Sequence, residues 1–318
     1  MLESGNGSQW ERQTLQKVLL EHITEQRRAR RWGIFFKLAL LVVVIGFFVG
    51  SFKTDLGQPT VTMVKDHTAL IDIKGEIGTD HNASADNIRK GLLSAFQNKH
   101  VKGVVLRINS PGGSPVQARQ VFDLVRALRA VHPEVKIYAA IEDLGTSAAY
   151  LIACAAESIY TDKTSLVGSI GVRLDSFGFV DAMQKVGVER RLYTGGSHKG
   201  ILDPFLPRNP ADEQFIDKQL AMVHQAFIQN VKDGRGARLH ESPDVFSGLF
   251  WCGEDALSMG LIDGYGDVYY IAKHIVQAEN LVDYTSENTL LDRLTNHLGS
   301  SIGQALSSGA GFVLKGLK

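Results

Sequence analysis

From Gly33 to Phe52 the chain carries a single charge, Lys37, in a run that is otherwise apolar, glycine or serine. At ~1.5 Å per residue such a run makes a helix of roughly 30 Å, the thickness of a bilayer core. The pattern therefore predicts one transmembrane helix over 33–52. Lys37 lies about one turn inside, where its amine can snorkel to the interface. Arg27, Arg28, Arg30 and Arg31 stand just before the span. By the positive-inside rule they place residues 1–32 in the cytoplasm and the bulk of the chain on the other side. A cleaved signal peptide is the alternative; the long leader and long apolar run count against it.

Beyond a linker (Lys53–Pro59) the pattern changes to short apolar runs alternating with helical periodicity. Val61–Ile73 reads as a strand pair broken at Lys65-Asp66-His67. Ser84–Gln97 places Ile88, Leu92, Leu93 and Phe96 on one helical face, with a cap at its start. Val101–Ile108 is a strand of a covered sheet, Asn109–Pro115 a turn, and Val116–Val131 an amphipathic helix. Val135–Ile141 is the next strand. A turn with Gly145 follows it, then a helix of small and apolar residues from Ser147 to Ala156. Further short strands are predicted at Glu157–Thr161, Val167–Val172 and Glu189–Tyr193. Helices are predicted at Ser176–Val186, Ala211–Lys232 and Val268–Glu279, and between the last two Val245–Phe250 and Trp251-Cys252-Gly253 lead into Gly253–Met259 and Gly260–Gly264. Such alternation predicts an α/β fold of stacked parallel units. From about Thr285 the composition shifts towards Leu, Gly and Ser, giving a tail over 284–318 after a domain over 53–283.

Composition adds little. The 318 residues carry 34 basic and 34 acidic side chains, a formal net charge of +0, so nothing points to a nucleic-acid partner. Two cysteines, Cys154 and Cys252, lack any zinc-type Cys/His spacing. Cys154 falls in the small-residue helix and reads as a buried thiol.

Four places carry candidate chemistry. Ser147 sits where a strand hands over to a buried helix, and a helix N-terminus favours developing negative charge. An ordinary N-cap role for Thr146 or Ser147 explains the hydroxyls equally well. In Ser110-Pro111-Gly112-Gly113-Ser114 two glycines let backbone N–H groups approach a ligand oxygen, as a phosphate site or oxyanion hole requires; a plain tight turn is the simpler account. A nucleotide P-loop and a G-x-S-x-G elbow are both absent. With no local Ser/His/Asp pattern, a lysine is the other base available, and Lys199 lies in Gly195-Gly196-Ser197-His198-Lys199-Gly200. A lysine acts as a base only when neutral. That means bringing an ordinary pKa of ~10.4 to ~7–8, at roughly 4 kcal/mol, by desolvation. A solvated loop lysine is the alternative, and His198 beside it reads as an edge or solvent residue. Ser169, in Gly168-Ser169-Ile170-Gly171, is either a turn serine or a partner that holds the amine.

Five motifs in this order resemble the signal peptide peptidase A family of membrane-anchored serine proteases, in its short form. They are Asn109-Ser-Pro-Gly-Gly-Ser114, Gly-Thr-Ser-Ala-Ala-Tyr around Ser147, Thr164–Val172, Gly-Ser-His-Lys-Gly around Lys199, and Ala256–Asp263. The likeness covers roughly Thr60 to Leu281 and the preceding anchor. It implies a Clp-protease/crotonase-like fold of ββα units behind one N-terminal transmembrane helix. It implies a Ser–Lys dyad, with Ser147 as nucleophile, Lys199 as general base and Ser169 orienting the lysine. Gly113, with Gly112 second, and Ala148 would supply the oxyanion-hole N–H groups. Substrates would be hydrophobic, membrane-derived peptides such as cleaved signal peptides, with no metal or organic cofactor. The resemblance also implies a homo-oligomeric ring or dome in which neighbouring subunits contribute serine and lysine. It places the chain in the inner (plasma) membrane with the catalytic domain periplasmic or otherwise extracytoplasmic. Where the family usually has Gly-Gly after the nucleophile, this chain has Ala148-Ala149, which still leaves the N–H free. Three other readings stay open: a related protease with one membrane-protein target, a crotonase-like acyl-CoA enzyme, and an inactive scaffold.

Overall fold

In the computed structural model the described residues are 28, 30–46 and 65–287. They fall into two units, divided between Met63 and Val64. The first unit holds helix α1, over residues 30–46, with its large apolar side chains exposed. Among the described residues no helix is long and apolar enough to cross a membrane. The end of the predicted span, 47–52, lies outside the described residues, as do most of residues 1–32, the linker after the span, and the tail beyond 287.

The second unit is built on one sheet. Its strands are β1 (His67–Lys74), β2 (Val101–Ser110), β3 (Lys136–Thr146), β4 (Ile159–Thr161), β5 (Leu166–Gly168), β6 (Phe250–Cys252), β7 (Gly264–Tyr265) and β8 (Leu281–Asp283). The order is β6-β5-β3-β2-β1-β8, with β4 on β3 and β7 on β4. All pairs are parallel except β5–β6. In β2, Val104, Val105 and Leu106 are consecutive and all fully buried, the mark of a parallel strand covered on both faces.

One face is covered by α2 (Ala85–Gln97), α3 (Pro115–Val131) and α4 (Ala148–Cys154) around the main core. The long helix α6 (Pro210–Arg235) adds Phe227 and Val231 to that core. The short helix α7 (Gly253–Ser258) adds Ala256 to the same core, whereas the other short helix, α5 (Val180–Lys185), buries none of its residues. The other face is covered by α8, from Val268 through a widened last part to Val276. Val268 and Ile271 of α8 meet Leu70, Val105 and Ala140 there. Each fully buried Leu, Ile or Val contributes about 1.5–3 kcal/mol.

The predicted alternation of strands and helices is present, and Ser84 caps α2 through the Asn87 N–H. Several boundaries differ. No turn interrupts β3 at Gly145; the strand runs on to Thr146 because β5 takes over as its neighbour at Leu144–Thr146 after β4 has left at Ile141. Gly145 permits this, since a Cβ there would meet Ile141 at 2.8 Å. The strand predicted at Val167–Val172 stops at Gly168, where Gly168 and Ser169 both take positive φ. Of the predicted pair at 61–73, β1 alone is described, and residues 61–64 lie outside the described set. The helix at Ser176–Val186 shrinks to α5 and buries nothing, and Glu189–Tyr193 forms no strand. Apart from Phe179 stacked on Phe205, the apolar side chains there find no burying face among the described residues. Cys154 is buried and Cys252 half-buried, and both are free thiols.

Candidate active site

Ser147 stands between the end of β3 and the first turn of α4 with φ 54° and ψ −126°. A non-glycine residue in this region is strained by about 1–3 kcal/mol and persists only when its surroundings hold it. They do so from three sides. The Ser147 N–H donates to the Gly168 carbonyl at 2.8 Å, and the Ser147 carbonyl accepts from Leu151 N–H at 3.0 Å. The neighbouring Thr146 hydroxyl donates to the Pro111 carbonyl at 3.2 Å. The simple N-cap reading fails here, because the Ser147 side chain makes no cap hydrogen bond.

The Ser110–Ser114 turn lies against this corner. A Cβ on Gly112 would come 2.7 Å from Ser147 Cβ and 2.9 Å from Ala148 N, so glycine is what permits the close approach. The Gly112 N–H donates to the buried Ser110 hydroxyl at 3.2 Å. Ile77 grips the turn from the other side: its N–H donates to Gly112 O, and its carbonyl accepts from Ser114 N–H, each at 2.8 Å. Gly113, at φ 144°, keeps an N–H with no acceptor among the described residues. Of the two glycines, Gly113 is thus the one with a donor to offer. Ala148 heads α4, where an N–H has no intrahelical acceptor.

Ser169 follows β5 as Ser147 follows β3, and the register Thr146↔Gly168 sets the two serines at adjacent strand ends. Ser169 also has positive φ, 52°. Its N–H donates to Leu249 O at 2.8 Å. His224, midway along α6, donates from Nε2 to Ile170 O at 3.0 Å. Neither serine hydroxyl has a hydrogen-bond partner among the described residues. The sequence marks neither Ile77 nor His224, and it offers Thr146 only as an N-cap. Thr146 was visible beside Ser147, but nothing local marks a clamp 36 positions away.

Beneath Ser147, α4 is wholly buried and braced at both ends. Tyr150 Oη donates to Leu261 O at 2.7 Å. Arg129 Nη1 donates to the carbonyls of Ala155 and Ala156, at 2.6 and 3.1 Å, capping the helix where its dipole is negative. Gly234 lies so near the Cys154 carbonyl that any larger residue would overlap it. Arg235 next to it is fully buried and grips Asp263 with two bonds of 2.8 and 2.9 Å. Asp263 Oδ2 also accepts from the Ile159 N–H. Burial pushes the Asp263 carboxyl up, but Arg235 outweighs it and holds the group below the usual carboxylate range. Burial drives the Cys154 thiol up to about 12, an inert group rather than a nucleophile.

Lys199 is placed differently. It is exposed, in a chain of tight turns, and no hydrogen bond or ion pair joins it to Ser147 or Ser169. The structure brings together Ser147, Ser169, Gly112, Gly113 and Ala148; it does not bring Lys199 to them within one chain. Among the described residues no group of three or more His, Cys, Asp or Glu is placed to hold a metal ion.

Fold and site together define a Clp-protease-like α/β protein with a candidate acyl-transfer serine. The Peptidase family S49 model matches residues 129–282, and the Clp protease model matches residues 60–163. A protein of Methanocaldococcus jannaschii named "Putative protease MJ0651" is 33% identical over 224 residues, 69% of this chain and 70% of that protein. The chloroplastic serine protease SPPA of Arabidopsis thaliana is 25% identical over 256 residues, 77% of this chain and 37% of that protein. The Na(+)/H(+) antiporter NhaA of Brucella melitensis is 47% identical over 177 residues, 56% of this chain; the chain spans only 24% of that protein's length. The chain belongs to peptidase family S49, of the signal peptide peptidase A type.

Proposed function

We propose that the protein is a membrane-anchored serine endopeptidase that hydrolyses hydrophobic peptides, such as cleaved signal peptides, with a Ser–Lys dyad. The observation that carries this reading is the strained Ser147, pressed against a turn whose Gly113 N–H is free. Lys199 takes the Ser147 proton as the hydroxyl attacks the scissile carbonyl. The Gly113 and Ala148 N–H groups hold the oxyanion, Ser169 orients the amine, and Lys199 protonates the leaving amine. Water then hydrolyses the acyl-enzyme by the same route.

Lys199 reaches Ser147 from a neighbouring protomer of a homo-oligomeric ring or dome. Two features favour this. The lysine loop is tied through His198 to Asp212, about 18 Å along α6 from His224, where the helix meets Ile170. And no residue from 171 to 209 is buried, although Phe177 and Tyr193 are 76% and 89% exposed. The anchor reading rests on the apolar run 33–52 and on α1, whose exposed apolar side chains suit lipid; it gives an N-terminus in the cytoplasm and an extracytoplasmic protease domain.

The test is hydrolysis of a signal-peptide-like substrate by the full chain in detergent, beside Ser147→Ala and Lys199→Ala. Loss of activity by about 10³-fold or more in both, at unchanged particle size, supports the dyad. Wild-type activity in Lys199→Ala would assign the base elsewhere.

A further inference from the structure

Two residues near the lysine form a pair that the dyad does not require. His198 Nδ1 lies 2.5 Å from Asp212 Oδ1, across 14 positions of sequence. The carboxylate belongs to the first turn of α6, where the helix dipole favours an anion. Its side chain is only 18% exposed, whereas His198 is 66% exposed. With a carboxylate as acceptor, Nδ1 carries the proton and donates. The two residues flanking Asp212 in sequence, Ala211 and Glu213, are tied as well. Asn209 Oδ1 accepts from the Ala211 N–H at 3.0 Å, and Arg208 pairs with Glu213.

The loop itself needs such a tie. From Gly196 to Leu206 its backbone is a succession of tight turns: Lys199 N–H to Gly196 O, Ile201 N–H to His198 O, Asp203 N–H to Gly200 O, and Leu206 N–H to Asp203 O. Its far end is braced, since Asp203 accepts from the Phe205 N–H at 3.0 Å and from Arg190 at 3.1 Å. At the end that carries Lys199, Thr194 Oγ1 donates to Gly196 O at 3.4 Å from the adjoining turn, and among the described residues the side-chain bond that ties this end to another element of the fold is His198 to Asp212. An exposed loop without it would sample many positions of the amine, and a general base must stay within hydrogen-bond reach of its proton.

We infer that His198 and Asp212 form a latch that fixes the Lys199 loop on the start of α6, making both positioning residues for the proposed base. The latch rests on the Ser–Lys reading. It acts on kcat, through the placement of Lys199, and leaves substrate binding alone.

The test uses the full chain in detergent with a signal-peptide-like substrate, and compares His198→Ala, Asp212→Ala, the double variant and His198→Asn with Lys199→Ala. Asparagine can donate from the place of Nδ1. His198→Ala and Asp212→Ala are each expected to lower kcat by about 10–100-fold with KM within about 3-fold and particle size unchanged. The double variant should be no worse than either single one, because one bond is lost in all three. His198→Asn should recover most of the rate. Wild-type kcat in His198→Ala, additive losses in the double variant, or a loss that tracks a smaller particle would each overturn the latch. If those results come with a dead Lys199→Ala, the latch alone falls and the dyad stands. If Lys199→Ala is fully active, the dyad falls first and the latch with it.

Discussion

The corner around Ser147 and the arm around Lys199 belong to the same chain and are built on opposite principles. At the corner, α4 is entirely buried, and both its ends are tied by Tyr150, Arg129 and the Gly234–Arg235 approach. A residue held at φ 54° can persist there because its neighbours leave it nowhere to relax. In the arm, from 171 to 209, nothing is buried, one short helix forms, and the bracing is made by a few exposed bonds. On the proposed Ser–Lys reading, the contrast teaches that one chain would preorganise the nucleophile and the oxyanion donors while presenting the base on a surface of its own. Strain and precise placement need a packed floor. Presentation needs reach and a tie.

The sharpest way to break this comparison is to separate its halves. Ser147→Ala and Lys199→Ala are each expected to be inactive. Co-assembled from mixed, dissociated subunits, they should regain activity, about one site in four combining an intact serine with an intact lysine from the next protomer. Pairing within one protomer predicts no recovery, because neither variant then contains a complete site. Peptide hydrolysis before and after mixing decides.

The floor is next. Asp263→Asn leaves Arg235 buried opposite a neutral amide, and breaking a buried pair in this way costs about 3–5 kcal/mol. Denaturant unfolding should show it. The sign of the pH dependence follows from the lowered Asp263 carboxyl. Its contribution is fully present above the unfolded value of ~3.9 and is lost as pH falls through the lower folded value. Acid unfolding of the wild type should therefore begin below about pH 4, and Asp263→Asn should flatten that part of the curve. The comparison blurs if the variant unfolds like the wild type at neutral pH.

A smaller effect sits at the join. Gly112→Ala would push a Cβ to 2.7 Å from Ser147 Cβ and 2.9 Å from Ala148 N, at φ 104°. The turn must then retreat and carry Gly113 with it. Losing one oxyanion donor costs about 10²–10³ in kcat, and that is the fall expected, with KM little changed. A normal kcat would mean that the turn is not part of the oxyanion site.

Much of the corner was legible in the sequence. Strand-like Val101–Ile108 and Val135–Ile141 and the small-residue helix after Ser147 are local patterns, and local patterns set the parallel units. The helix Ala211–Lys232 was likewise readable from Phe227 and Val231. What was not legible has a common cause, distance along the chain. Ile77 clamps a turn 36 positions away, and Arg235 finds Asp263 only once α6 is laid down. The exchange of β4 for β5 beside β3 depends on three-residue strands too short to show periodicity. The arm failed for another reason. Val188 and Leu192 invite a strand, yet the described residues offer them no strand partner, and exposed apolar residues do not by themselves say what covers them.

The smallest effect on the protomer should come from the arm itself. Phe177 and Tyr193 contribute almost nothing to the stability of one chain, since they are 76% and 89% exposed. Phe177→Ser and Tyr193→Ser should shift unfolding of the dissociated protomer by no more than about 0.5 kcal/mol. Ile152→Ala, in the buried helix below Ser147, should cost about 2–5 kcal/mol in the same experiment. Particle size should respond in the opposite sense. If the arm's apolar side chains are covered by the next protomer, the two serine variants dissociate at concentrations where Ile152→Ala, while folded, stays assembled. Light scattering across a dilution series separates the two effects. Arm variants that remain assembled would place the contact between copies elsewhere, and leave the exposed aromatic side chains to be covered by something other than a second copy of this chain.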